Sequence, residues 1–468
     1  CSPCAEPNVT HGGAQCFYCY RTMNRLFADR ITDRTARGIA AGVGRMISDG
    51  TLPVGQRLPT VRELATALGV SPTTVSEAWQ SLAAVGAIDA RGRQGTFVRL
   101  PTGPASPRRY RRITEGPGHF ALDLSTGTPD PALLPDLGPL LARVSRQSLT
   151  SSYFDSPVLP ELDERLRATW PFVPEALTVV DGAMDALDRV ASTVVRLGDR
   201  VVVEHPAFPP LLDLLDLLGA EVVGVPLDDE GMRVDALERA LASGASAVFL
   251  QPRAHNPTGV TTTRRRAKQL AAVLATSSAV VVEDDHSGDI ASGALVSIGS
   301  HLPHRTVHLR SYSKSHGPDL RLAAVGGAGD VVNAVANRRL LGPGWSSRIL
   351  QAVLLQMLDH QPTLDAVAHA RLEYARRRST VTKVLTELGV SYTGTDGINL
   401  WMQVADERSA LITLAAQGIG AAPGEPFMVL PDVPSLRVTV GLIDHELERI
   451  AAVLADAAGM APIRGGQR

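Results

Sequence analysis

Lysine is scarce: of 46 Lys plus Arg in 468 residues, only Lys268, Lys314 and Lys383 are lysines, so chemistry that needs a primary amine has three candidates. Cysteine is confined to Cys1, Cys4, Cys16 and Cys19, which excludes a disulfide-stapled secreted fold for the body of the chain. No apolar run approaches the roughly 18–20 residues that span a bilayer; stretches such as Ala279–Val282 before Glu283 are strand-sized. A basic start, apolar core and small-residue cleavage site are lacking at the N-terminus, so the cytoplasm is the simplest location. No repeat of solenoid or propeller period is present. With 44% hydrophobic residues and net charge −2, there is enough apolar surface for two or three cores, which excludes a single small binding module.

Charge is unevenly spread. Residues 21–115 hold fifteen Arg against seven acids, a balance of about +8, and residues 116–468 carry about −9. The two parts are therefore expected to have different partners. Between them, Pro101–Gly118 holds four prolines, three glycines and the run Arg108-Arg-Tyr-Arg-Arg112. It has no hydrophobic periodicity and reads as a linker of limited flexibility, able to touch phosphates. Boundaries follow: 1–29 a Cys-containing extension, 30–100 a basic domain, 101–120 the linker and 121–468 a large acidic domain.

In the basic segment, Ala36–Ile47 has helical periodicity until Gly50 and Pro53 break it, and Val61–Leu68 gives a second helix ending at Gly69. Ser71 can cap a third helix, Pro72 fits its first turn, and Val75, Ala78, Trp79 and Leu82 form its apolar stripe. Ala87–Ala90 and Thr96–Val98 then flank a turn, giving a hairpin after a helix-turn-helix, which is a winged helix. Its third helix suits a DNA major groove, with the wing on phosphate or minor groove; a small helical domain with a solvated Arg surface is the bland alternative. The strings Leu52-Pro-Val-Gly-Gln-Arg-Leu-Pro-Thr-Val-Arg-Glu-Leu-Ala65 and Gly69-Val-Ser-Pro-Thr-Thr-Val75 closely resemble the DNA-binding domain of GntR-type repressors over residues 36–98. That resemblance implies DNA contacts by Arg57, Arg62, Thr73, Thr74, Arg91, Arg93, Gly95 and Thr96. The family often has a basic residue before the Thr of the third helix, where this chain has Pro72 and Thr73, so base preference does not carry over.

From Asp123 onward, strand-like runs alternate with helix-like ones: Leu177–Val180 then Met184–Leu197, Arg200–Val203 then Leu211–Leu218, Ala247–Leu250 then Arg264–Ala275, and Ala279–Glu283. The pattern predicts an α/β domain with a mainly parallel sheet covered on both faces, and ligands at the carboxyl ends of its strands. Lys314 follows the strand-like Thr306–Leu309, with Ser311 three residues before it and Arg321 seven after. Lys268 and Lys383 fit exposed helix faces. A lysine near cationic or apolar neighbours has a depressed pKa and can form a Schiff base with an aldehyde, and the aldehyde that also needs a phosphate cup is pyridoxal 5′-phosphate (PLP). PLP needs an acid at its pyridine nitrogen, for which Asp284 is the candidate with Asp285 next in line. Gly182, Ala183 and Met184 offer backbone N–H groups at a helix start for the phosphate. Phe208 can stack on the ring, and Asn256 in His255-Asn-Pro-Thr-Gly259 can face the phenolic oxygen. Each residue also has an ordinary structural reading, as core, turn former, strand-end cap or surface charge; their order at successive strand ends is what argues for a site.

With these residues in place, the part from 121 to 468 resembles a fold-type I PLP-dependent aminotransferase, a large α/β domain plus a smaller C-terminal α+β domain. The resemblance matches Lys314 to the cofactor lysine, Asp284 to the ring-nitrogen acid, Asn256 to the O3′ partner, and Ser311 and Arg321 to phosphate ligands. It also matches Tyr153 to a tyrosine that reaches the partner subunit's phosphate, and Arg437 to the arginine that grips an amino acid carboxylate. His286 stands where the fold usually has a tyrosine near O3′, and Val158 replaces a usual glycine, which puts full transamination in doubt more than PLP binding.

A winged helix joined through a linker to this fold is the organisation of the MocR subgroup of GntR regulators. The resemblance implies a homodimer on operator DNA and a regulator sensing PLP, an amino acid or an amine; the alternative is an active aminotransferase with an accessory DNA-binding domain. Cys1-Ser-Pro-Cys4 and Cys16-Phe-Tyr-Cys19 could bind zinc or act as redox pairs. Because the chain starts at Cys and its first methionine is Met23, a remnant of an upstream start or a truncated extension is the expected reading there.

Overall fold

The computed structural model describes residues 25–48, 50–84, 87–90, 92, 95–98, 107–114, 120–145, 152 and 154–459, and the chain divides into two units, an N-terminal one that ends at Ser106 and also takes in Arg196–Asp199 and Asp216–Glu221, and a C-terminal one of the remaining residues. The four cysteines, Arg91, Arg93 and Tyr153 lie outside the described residues.

In the N-terminal unit, three helices, Ala36–Ser48, Val61–Leu68 and Pro72–Ala84, precede an antiparallel hairpin of Ile88–Ala90 and Thr96–Val98. Local chemistry sets the boundaries. Thr60 and Glu63 form a reciprocal capping box at the start of the second helix, and Gly69 ends it in the left-handed conformation at φ 67°. Ser71 Oγ accepts the N–H of Thr74 at 3.1 Å, as an N-cap should. Ile39, Val43, Leu64, Leu68, Val75 and Leu82 interlock in one apolar core. The wing is broader than a two-stranded hairpin, because Leu58 N–H donates to Thr96 O and Val98 N–H to Gln56 O, both at 2.8 Å.

The C-terminal unit is built on an eight-stranded sheet in the order Ala176–Val180, Ala323–Gly327, Thr306–Ser311, Val280–Asp285, Ala247–Leu250, Arg200–His205, Glu221–Asp228 and Gly231–Met232. The strands at 306, 280, 247 and 200 run parallel, and Ala323–Gly327 lies antiparallel between two of its neighbours. The apolar patterning misses Ala323–Gly327 because Ala-Ala-Val-Gly-Gly has little strand preference. It is a strand because it pairs antiparallel with Thr306–Ser311 on one side and Ala176–Val180 on the other, and its glycines are there because larger residues do not fit: a Cβ on Gly327 would lie 2.0 Å from Thr306 O and one on Gly326 2.9 Å from the Trp170 ring. Glu221–Asp228 escapes the reading because Gly224 and Pro226 interrupt it.

A smaller lobe follows the 27-residue helix Gln361–Glu387. It packs the helices Glu407–Ala416 and Leu447–Ala458 around a four-stranded sheet containing Leu400–Gln403, Ser435–Val438 and Ala422–Pro423. The α/β fold with an α+β lobe is thus as expected. One difference concerns the Arg-rich stretch read as linker: Arg108–Thr114 is a helix. Among the described residues, no helix is long and apolar enough to cross a membrane, and no group of three His, Cys, Asp or Glu is placed to hold a metal.

Candidate cofactor site

The carboxyl ends of the parallel strands share one edge of the sheet, and most of the singled-out residues converge there. Lys314, three residues past the strand Thr306–Ser311, has its Nζ 2.7 Å from His286 Nδ1. His286 Nε2 is 3.0 Å from the carbonyl of Ala254. A carbonyl only accepts, so Nε2 carries the ring proton and Nδ1 is left to accept from the Lys314 amine. Burial, together with the adjacent amine, keeps His286 neutral, its pKa well below the ordinary value. Burial likewise pulls the Lys314 amine down to about 8, against the attraction of Asp284. Lys268 and Lys383 are exposed on helices, as expected.

Asp284 is the penultimate residue of the neighbouring strand Val280–Asp285 and is raised to about 6, mainly by burial. Its Oδ2 accepts from Gln251 Nε2 at 2.7 Å, while its Oδ1 is buried with no partner. Asp285 is committed elsewhere: Arg253 pairs with it at 2.5 Å and, against the cost of burial, holds it ionised. Of the two adjacent acids, therefore, only Asp284 has an oxygen to offer a ligand. Phe208 and Asp284 line one cavity together with Gln251, His255 and Glu204.

Gln251, Glu204 and His255 were not singled out from the sequence. Gln251 Oε1 accepts the Asn256 N–H at 2.8 Å, so one side chain positions both Asn256 and Asp284. Its own N–H donates to Glu204 Oε2 at 2.7 Å. Burial, with the charge of Asp284 adding to it, lifts Glu204 to about 8, and burial drops His255 to about 3. Both are then neutral near pH 7. A buried Gln or Glu at a strand end carries no chemistry by residue type; only their shared cavity marks them.

At the other side of Lys314, Gly182 has φ 99° at the start of the helix Ala183–Val194, and Arg321 Nη2 donates to Asp181 O at 3.2 Å. A Cβ on Gly182 would come within 3.3 Å of the Arg321 guanidinium, so glycine keeps this turn open beside a cation. Ser311 is buried, and Met184 is partly exposed on the first turn of the helix. The turn is braced by Arg339, which reaches Asp181 at 3.2 Å and Asp185 at 2.9 Å.

Arg437 projects from the smaller lobe. Its guanidinium donates to Asn256 Oδ1 at 3.3 Å and to the Ser125 carbonyl, and lies 5.2 Å from the centre of the Phe427 ring. It is buried, its Nε has no partner, and burial lowers its pKa to about 10. No carboxylate among the described residues pairs with it, so the arrangement suits an anion from solution. Gly127 gives it room, since a Cβ there would sit 3.0 Å from Nη1.

On the N-terminal unit, Arg57, Arg62 and Thr73 are exposed. Thr74 shares its hydroxyl with Ser71 Oγ at 2.8 Å. Gly95, at φ 107°, lies against Arg57, and Thr96 pairs with Ala90 in the wing.

The residues present fit PLP: a low-pKa amine, an acid with one unused buried oxygen, an aromatic side chain beside that acid, and a glycine turn next to an arginine. The model of class I and II aminotransferases matches residues 121–454, and that of the gntR family of bacterial regulatory proteins matches residues 35–98. The vitamin B6 salvage pathway transcriptional repressor PtsJ of Salmonella typhimurium is 35% identical over 437 residues, covering 91% of this chain and 99% of the relative. The pyridoxine biosynthesis transcriptional regulator PdxR of Corynebacterium glutamicum is 26% identical, covering 74% of this chain and 78% of that one. Kynurenine aminotransferase of Pyrococcus horikoshii superposes with a TM-score of 0.67 at 22% identity, over 76% of this chain and 95% of that chain, which shows the shared fold. The chain therefore belongs to the class I and II aminotransferase family, takes PLP as its cofactor, and is joined to a GntR-type DNA-binding module as in the MocR subgroup of transcription regulators.

Proposed function

We infer that this regulator senses PLP, or an amino acid or amine that meets it, at the Lys314 site, and that occupancy there alters operator binding. The observation that carries the reading is one polypeptide holding both an exposed Arg57 and Arg62 face and a pocket whose Asp284 and Lys314 are tuned for PLP. Bound there, PLP supplies an electrophilic aldehyde and an electron-accepting ring. Lys314 provides the amine, which His286 Nδ1 orients as a hydrogen-bond acceptor. Asp284, whose Oδ1 has no partner, would hold the pyridine nitrogen and favour its protonated form; Asn256 would hold the phenolic oxygen, and Phe208 would hold the ring. Gly182, Ala183, Met184, Ser311 and Arg321 would hold the phosphate, and Tyr153, which lies outside the described residues, would join them from a second copy. Arg437 selects an effector bearing a carboxylate.

Arg57, Arg62, Thr73, Thr74, Gly95 and Thr96 would contact DNA, together with Arg91 and Arg93, which lie outside the described residues. Two copies pair their winged helices on two half-sites in the cytoplasm. The full-length likeness to PtsJ makes vitamin B6 supply genes the first regulon to test.

A gel shift on the DNA upstream of the chain's own gene, with and without PLP, tests the reading: a PLP-dependent change in affinity is expected, and identical affinities would refute it. Arg62→Ala should weaken that binding while leaving the cofactor absorption spectrum intact. A working aminotransferase is the second reading, favoured by the unpaired Arg437 beside the Lys314 site; steady-state amino transfer at ordinary turnover would support it.

A further inference from the structure

In the stretch that leads from the DNA-binding unit into the aminotransferase-like unit, residues 107–114 are described. Its helix, Arg108–Thr114, is held at two places. The backbone N–H groups of Arg109 and Tyr110 donate to the two carboxylate oxygens of Asp213 at 3.2 and 3.0 Å, and the Arg109 side chain adds an ion pair at 3.7 Å. At the other end, Arg112 pairs with Glu425 at 2.6 Å, and Ile113 is buried against Trp401, Ala422 and Phe427. The arginines read as available for phosphate are, at 109 and 112, engaged with these acids.

Both grips lie one step from the pocket. Asp213 is on the helix Pro209–Leu217, which begins at the residue after Phe208 of the cofactor cavity. Phe427 lies under the Arg437 guanidinium and accepts the N–H of Ala207, the residue before Phe208, at 2.8 Å. The helix thus bridges the large lobe, through Asp213, and the small lobe, through Phe427 and Glu425, where the cofactor ring and the carboxylate-binding arginine are held. Glu407 stiffens the second grip by accepting the N–H groups of Gly424 and Glu425 at 2.9 and 3.0 Å.

We propose that Ile113 and Asp213 are positioning residues that tie the Arg108–Thr114 helix to Phe427 and Phe208, so that ligand occupancy of the pocket and DNA binding are coupled through this helix. A ligand can act on DNA affinity only by favouring one arrangement of an element that both sites bias. The helix meets this requirement in our proposal because it is held to the large lobe at Asp213 and to the small lobe at Phe427 and Glu425. The inference rests on the PLP-sensing reading above and names the element through which that sensing acts.

Linkage makes it measurable: if PLP changes affinity for DNA by some factor, DNA changes affinity for PLP by the same factor, commonly about 5- to 150-fold. The full chain is titrated with PLP by absorbance, with and without the DNA upstream of its own gene, in wild type and in the variant carrying Ile113→Ala and Asp213→Ala. Wild type should show about fivefold or more between the two PLP affinities. In the double variant the two should agree within about twofold, while PLP binding without DNA and DNA binding without PLP each stay near wild type; Ile113→Val alone should keep the coupling. Coupling undiminished in the double variant overturns this proposal and leaves the regulator reading standing. Coupling absent already in wild type removes the regulator reading and this proposal with it. If the double variant does not fold, hydrogen exchange on wild type decides: the Arg109 and Tyr110 amides should change protection when PLP is added, and unchanged exchange overturns the proposal.

Discussion

An Asp284→Asn variant is expected to stabilise the cofactor-free protein while weakening its hold on PLP. Burial raises this carboxyl from 3.8 to about 6, and the opposing hydrogen bond from Gln251 and attraction of Lys314 are already contained in that value. At 1.36 kcal/mol per pK unit, keeping Asp284 ionised near neutral pH costs the folded protein about 3 kcal/mol. The sign follows from proton binding: the folded state holds the proton more tightly between the two pKa values, so this group's stability contribution falls as pH rises from about 4 to about 6. Asparagine has no charge to desolvate, and its amide oxygen can still accept from Gln251. The variant should match wild type near pH 4 and exceed it by up to about 3 kcal/mol at pH 7.5. PLP affinity should move the other way, by about 30-fold or more, because a protonated ring nitrogen loses a buried anionic partner worth at least about 2 kcal/mol. Denaturant unfolding of the cofactor-free protein at pH 4.5, 6 and 7.5, with an absorbance titration of PLP, measures both; the cofactor must be removed because binding itself adds stability. A variant less stable than wild type at pH 7.5, or one that binds PLP as tightly, would refute the assignment of Asp284.

Three further outcomes are expected. Lys314→Ala should abolish borohydride-trappable cofactor; trapping that persisted at Lys268 or Lys383 would overturn the site. His286→Phe removes the acceptor facing the Lys314 amine, and since hydrogen bonds to charged groups contribute about 1.5–3 kcal/mol, the pH midpoint for cofactor attachment should fall about one unit or more below that of wild type. Stopped-flow absorbance against pH measures it, and an unchanged midpoint would show that the 2.7 Å contact has no influence on the amine. Gln251→Leu deprives Asp284 Oδ2 of its donor and Asn256 N–H of its acceptor, so it should destabilise the protein by about 1–3 kcal/mol; a loss under about half a kcal/mol would deny Gln251 its positioning role.

Much of the architecture was legible because its causes are local. Thr60, Glu63 and Gly69 bound a helix by chemistry within ten residues, and Val75, Ala78, Trp79 and Leu82 declare one apolar face. Strands buried on both faces read as apolar runs at 200, 247, 280 and 306. At Ala323–Gly327 and Arg108–Thr114 local preference is silent: pairing with a strand on each side makes one a strand, and Asp213 with Phe427 holds the other as a helix.

The chemistry divides along the same line. By itself the sequence determined that one of three amines, Lys314, stands in a setting suited to an imine, because scarcity of lysine and the flanking Ser311 and Arg321 are properties of the chain. It also determined that a basic winged helix precedes an acidic α/β domain. Only the tertiary structure decided which groups carry charge and who holds them. Asp284 has an unused oxygen because Arg253 claims Asp285 from 32 residues away, and Gln251 reaches Asp284 across 33. His286 accepts from Lys314 because Ala254 fixes its tautomer. Such facts depend on burial and on pairs brought together by the sheet, and a pKa is set by surroundings that residue order does not specify.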